Sequence, residues 1–176
     1  MARALIAVGR RFWWAAIGAA AAVAAAVWLT WPSPGLPGNA APTRQYLNVD
    51  ACLLTGARGV TGDPAAAVWS GMQDASLATR ARVSYLPALG PESTAGALPY
   101  LASLLQRHCA VVVAVGAPQS AAVATDAARF PQVRFITVGT GPAASHVTRI
   151  AAPSARYVRA AVRAAITAAV GHAQAR

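Results

Sequence analysis

The stretch from Ala110 to Gly139 leaves this chain little choice of fold. It opens with an apolar, largely β-branched run, AVVVAV, that stops at Gly116. A strand covered on both faces of a parallel sheet reads this way. Pro118 then stands at a first-turn position, and Ala121, Val123, Ala124, Ala127 and Ala128 are interleaved with polar Thr125, Asp126 and Arg129, which predicts a helix. Phe130-Pro131 ends it, and Val133 to Val138 returns as a strand closing on Gly139. Strand, helix and strand in about thirty residues imply parallel strands joined by a right-handed crossover.

The rest of the chain repeats the alternation. Val49 to Thr55 is expected as the first strand, followed by a glycine-rich turn from Gly56 to Gly62. Asp63-Pro64 is expected to cap and open a helix carrying Val68, Trp69, Met72 and Ala75 toward a core. Arg82 to Leu86 gives a second strand, and a leucine-rich helix with Leu98, Leu101, Leu104 and Leu105 follows, with Pro99 in its first turn. After Gly139 come a short strand at His146 to Ile150 and a last helix opened by Pro153. That helix presents Val158, Val162 and Ile166 on one face and Arg156, Arg159 and Arg163 on the other, where solvated surface and a partner site are both open readings. The expected architecture is α/β: a doubly wound, parallel five-stranded sheet of order 2-1-3-4-5 with helices on both faces.

Ahead of this lobe, Phe12 to Trp31 is a run of twenty uncharged residues. As a helix it would extend about 30 Å, the thickness of a bilayer's hydrocarbon core. Trp13, Trp14, Trp28 and Trp31 mark its ends, and Arg3, Arg10 and Arg11 lie before it. The positive-inside rule places residues 1–11 in the cytoplasm, residues 12–31 as a single transmembrane signal-anchor, and the remainder outside. Gly38-Asn39-Ala40 is a passable cleavage site, but it lies nine residues past the apolar run, so an uncleaved anchor is preferred. Residues 32–44, rich in Pro and Gly, form a stiff linker. The single lobe is expected over 45–171, with 172–176 as a tail.

Here the residues carry a resemblance. Ala114-Val115-Gly116, Phe130-Pro131, and Val133-x-Phe135-Ile136 look like the middle of the first lobe of the basic membrane protein family, extracytoplasmic substrate-binding proteins of ABC importers. Trp69-Ser70-Gly71 matches the family's Trp-x-Gly, and the likeness runs over nearly all of residues 46–170, one lobe's worth. It implies a periplasmic-binding-protein fold, a small ligand such as a nucleoside, and an ABC permease as partner. The chain departs from the family at Gly56, where a strand-ending Asp is expected, and at the alanines replacing the loop's polar positions. It also lacks a lipid-bearing Cys after the apolar run.

Catalysis is not expected. Five acidic residues, three His and two Cys contain no HExxH, GxSxG or GxxxxGK[ST] pattern, and His108, His146 and His172 have no metal spacing. No metal, cofactor or nucleic-acid site is expected either. The formal charge of +10 comes from arginines scattered along the chain, without zinc ligands, aromatic-basic motifs or a basic reading helix.

A binding crevice in an open parallel sheet lies outside the carboxyl ends of the strands. The candidates are Thr55 and Gly56, then Gly116, Gln119 and Ser120, then Gly139 and Thr140. Gly116 matches the family pattern directly; the others follow from topology. For each glycine, a tight turn is the competing account. Dimerisation across the open face is a further way to complete a cleft.

Cys52 and Cys109 both fall in the exported portion, where thiols oxidise. Counting from the strand ends leaves them about three residues out of step, on the order of 10 Å, and a bridge needs Cα atoms within about 7 Å. A bridge therefore requires the connection at Cys109 to bend back; otherwise both remain buried thiols. Two functions stay open: a membrane-anchored solute-binding lobe, or a non-catalytic interaction module that keeps the fold without the pocket.

Overall fold

The computed structural model describes residues 45–175. The expected anchor at 12–31 and the linker at 32–44 lie outside them. Among the described residues no helix is long and apolar enough to cross a membrane.

Five strands form one parallel sheet of order β2-β1-β3-β4-β5. They are β1 (Asp50–Thr55), β2 (Arg82–Pro87), β3 (Val111–Val115), β4 (Arg134–Val138) and β5 (Val147–Ile150). Four helices alternate with them: α1 (Ala65–Thr79), α2 (Thr94–Gln106), α3 (Ala117–Asp126, followed by a 3-10 turn over Ala127–Arg129) and α4 (Ala155–Gln174). The order agrees with the sequence expectation.

Because side chains alternate along a strand, each central strand feeds two cores. Leu53, Val111, Val113, Ile136 and Val138 join Val68 and Met72 of α1 and Val158, Val162 and Ile166 of α4. Leu54, Val112, Ala114 and Phe135 join Leu101 and Leu104 of α2 and Ala122 and Val123 of α3. The β3 run is buried at every position, as a doubly covered strand must be.

On the first side α1 and α4 pack closely. A side chain at Gly71 would put its Cβ 2.5 Å from the carbonyl oxygen of Arg159, so only glycine permits this approach. Arg159 Nε and Nη2 donate to Asp74 at 2.6 and 2.9 Å, a two-point guanidinium–carboxylate pair. The hydrogen bond from Arg159 holds the Asp74 carboxyl below its usual range. On the second side Cys52 and Cys109 form a disulfide with Cα atoms 5.9 Å apart. The strand register pairs Cys52 with Val112, so Cys109 does not reach it as part of the strand. Instead the chain folds back at the end of α2: His108 takes φ 58°, and the N–H groups of His108 and Cys109 donate to Leu105 and Leu104.

Helix starts differ from expectation in three places. Asp63 does not cap α1; Pro64 occupies the cap position, and the Gly62 and Pro64 carbonyls accept from Ala66 and Val68. Pro99 lies inside α2 and not in its first turn, because the Ser93 hydroxyl accepts from the Gly96 N–H and begins the helix earlier. The carbonyl of Ala95 thereby loses its helical donor, at an exposed position where water can serve. Ser154, not Pro153, opens α4 by accepting from the Tyr157 N–H, and α4 continues through His172 to Gln174 into the stretch expected as a tail.

Candidate functional site

All five strands point the same way, so their carboxyl ends share one edge of the sheet. Between β1 and β3, where the chain's winding reverses direction, the loops that follow these strands part and leave an opening. It is a cavity of about 250 Å³, open to solvent on one side. The β1–α1 loop supplies Gly56 to Pro64, the β2–α2 loop supplies Glu92, and the end of β3 with the first turn of α3 supplies Val115 to Gln119.

The floor is made by two glycines and one amide. Gly116 has φ 108°, a conformation that side chains rarely adopt, and a Cβ there would collide with Oε1 of Gln119. A Cβ at Gly56 would sit 3.8 Å from Nε2 of Gln119 and 3.8 Å from Oε1 of Glu92. The Gln119 carboxamide therefore lies across both glycines, with the Glu92 carboxylate beside it. Gln119 is only 4% exposed, yet its side chain makes no hydrogen bond to any described residue. Its amide atoms are not among the fully enclosed unpaired ones, so they reach the solvent of the crevice. Such a group at the mouth of a crevice is available to a ligand.

Charge in the crevice is mixed. Arg58 and the carboxylates of Asp63 and Glu92 line it, and all three are exposed and in no ion pair among the described residues. The first turn of α3 adds the positive pole of a helix start, with Gly116 in the cap position and no side chain capping it. The lining contains no aromatic ring.

Of the seven residues expected at the site, Gly56, Gly116 and Gln119 meet in this crevice. Thr55 and Ser120 are behind it, 1% and 0% exposed, with hydroxyls that find no partner among the described residues. Gly139 and Thr140 lie in the β4–β5 connection and are not part of the lining. Ser120 does pack at that connection, since a Cβ on Gly141 would come within 2.6 Å of its own Cβ.

Sequence reasoning missed Arg58, Asp63 and Glu92. Asp63 had been assigned to capping, and Glu92 belongs to the loop after β2, whose course toward the crevice no periodicity fixes even though the order 2-1-3-4-5 sets β2 beside β1. The periodicity of α3 also misled. Gln119, Ser120 and Ala122 face inward with Val123, while Ala128 is exposed, because a helix so rich in Ala has little apolar contrast to show which side is inner.

No protein-family model and no curated protein matches the chain. The fold does match a solved structure, the crystal structure of "putative lipoprotein from Peptoclostridium difficile 630 (fragment)", with a TM-score of 0.57 and 11% identity. The match covers 69% of this chain and 98% of that one, and at this identity it is a likeness of fold.

Proposed function

We propose that this chain is a membrane-anchored, extracytoplasmic solute-binding module whose crevice between β1 and β3 holds a small polar ligand. The observation that carries the reading is the Gln119 carboxamide, laid across Gly56 and Gly116 at the crevice with no hydrogen bond to any described residue. Support for the location comes from the apolar run 12–31 with its arginine flank. A fold shared with a protein described as a lipoprotein agrees with it. The resemblance to the basic membrane protein family adds an ABC-type importer as the partner that receives the solute. No catalytic step is assigned.

The lining narrows the class of ligand. Without an aromatic ring it offers a nucleoside base nothing to stack on, whereas a lining that includes Arg58, Asp63 and Glu92 suits a solute bearing both signs of charge. A second reading, a protein-interaction module that has kept the lobe and dispensed with the ligand, is favoured by size. About 250 Å³ is below the roughly 300–1,000 Å³ usual for ligand pockets. Dimerisation across the open edge would enlarge it.

A thermal-shift screen of the purified chain against amino acids, nucleosides, purines and sugars separates the two, because a ligand of the native state raises its melting temperature by mass action. The solute-binding reading expects a rise with one class that Gln119→Ala abolishes. No rise with any class, together with a concentration-dependent dimer, would leave the interaction module.

A further inference from the structure

The opposite edge of the sheet has a different character. Arg82 and Arg134 begin β2 and β4, while Arg80, Arg107 and Arg129 stand at the ends of α1, α2 and the turn after α3. Parallel strands bring all five to one face. The register confirms it: Asp50 of β1 is opposite Arg82, its carbonyl accepts from Ala110, and the Ala110 carbonyl accepts from the Arg134 N–H. His172, near the end of α4, shares a notch of about 110 Å³ with Gln132 and Arg134 on the same face.

Half of the ten arginines in residues 45–175 are therefore gathered here, all exposed. Only Asp50 and Asp126 oppose them, each already bound to its own arginine, Arg82 at 2.7 Å and Arg129 at 3.2 Å. Arg80, Arg107 and Arg134 make no ion pair among the described residues. Three of the five also meet the fractional negative pole of a helix end, which accounts for their position but leaves most of each guanidinium's charge uncompensated. The crevice edge, by contrast, sets Arg58, Arg149 and Arg156 against Asp63 and Glu92, nearly in balance.

The chain also enters the lobe at the basic face. Leu47 donates to the Arg80 carbonyl, and Asn48 accepts from Arg82. Residues 32–44, immediately before it, contain four prolines and would reach about 40 Å even fully extended as polyproline. The run 12–31 precedes them. A face carrying a surplus of three positive charges is thus the one at which the chain enters the lobe.

We propose that this face, centred on Arg80, Arg107 and Arg134, docks on the anionic headgroups of the bilayer that anchors the chain, turning the crevice away from the membrane. The proposal rests on the membrane-anchored reading of residues 12–31. Guanidinium groups pair two-point with lipid phosphates, and the notch beside Arg134, His172 and Gln132 has room for phosphate oxygens. Each arginine near an anionic surface strengthens binding several-fold, so three give roughly 100-fold. A short tether makes even weak contact persistent by raising the local concentration of lipid.

The test places the full chain in nanodiscs of phosphatidylcholine alone or mixed with phosphatidylglycerol and follows amide hydrogen exchange. In the mixed discs, amides around Arg80–Arg82, Arg107–Ala110 and Gln132–Arg134 should exchange several-fold more slowly at low salt, and the protection should vanish at high salt. The triple variant R80E/R107E/R134E should lose the protection while keeping its melting temperature. R156E/R163E, which reverses two arginines of α4, should retain it. Equal exchange in the two lipids, or equal loss in both variants, overturns the docking. A chain that elutes apart from the lipid overturns the anchored reading as well. Protection by a single-stranded oligonucleotide through the same arginines, with none from lipid, assigns the face to nucleic acid and likewise overturns the proposal.

Discussion

The two sides of the sheet are held by different means. The α1/α4 side is packed with Val68, Met72, Val158, Val162 and Ile166, draws its helices together at Gly71, and closes with the Asp74–Arg159 pair. The α2/α3 side has a disulfide across it and buries polar groups, Gln119 in the crevice, Ser120 behind it and Thr137 in β4. Close packing, with one unpaired hydroxyl at Thr55 on the side of Leu53, makes the first side a scaffold. The second side bears unpaired groups that a purely structural layer would not keep, and a covalent link offsets their cost.

The largest effect should come from that link. The disulfide joins residues 57 apart in sequence, and closing a loop of that length in the unfolded chain stabilises the fold by about 4 kcal/mol. Cys52→Ala/Cys109→Ala should lower the denaturant midpoint accordingly, and reduction of the native chain should match the double variant. If the loss is under about 1 kcal/mol, the α2/α3 side does not depend on its bridge and the contrast fails.

Next in size is Gly71→Ala on the scaffold side. The new methyl group would meet the Arg159 backbone, which cannot rotate away, so α1 and α4 must separate. Overpacking of this kind costs about 1–3 kcal/mol. Urea unfolding measures it, and an unchanged midpoint would show that the helices have slack.

A change of opposite sign is expected at Thr137. Its hydroxyl is 2% exposed and has no partner among the described residues, and alternation along β4 turns it to the α2/α3 side with Phe135. Thr137→Val keeps the shape and removes the unpaired group, so it should stabilise the fold by about 1 kcal/mol. Destabilisation would mean that the hydroxyl is satisfied in solution and that this side is less burdened than it looks.

How much of this was legible in the sequence follows the same division. Strands β1, β3 and β4 are continuous apolar runs, and the Leu face of α2 and the Val/Ile face of α4 have enough contrast to show their inner sides. Five parallel strands in the order 2-1-3-4-5 could therefore be read directly. Helix starts were less legible, because Asp63, Pro99 and Pro153 each fit a local rule, yet Pro64 takes the cap of α1 with no side chain capping it and Ser93 and Ser154 cap α2 and α4. The disulfide hinged on His108 adopting a positive φ, which no spacing rule encodes. In the crevice, glycines that end strands gave Gly56 and Gly116 away, whereas Glu92 reaches the site through the path of the β2–α2 loop, which no residue pattern encodes.

The smallest effect, and the one that isolates the scaffold's electrostatics, concerns Asp74 and Arg159. Both are exposed enough for water to screen the pair, so its contribution is modest despite distances of 2.6 and 2.9 Å. Its pH dependence is nevertheless distinctive. The Asp74 carboxyl is depressed in the folded state, chiefly by the hydrogen bond from Arg159, so it binds a proton less readily there than in the unfolded chain. Stability from the pair is then complete above the ordinary carboxylate range and is lost as pH falls through the folded value. Arg159→Gln should remove that acid-side slope while leaving the melting temperature near neutral pH only slightly lower. The same slope in the variant would place the acid sensitivity on another carboxylate.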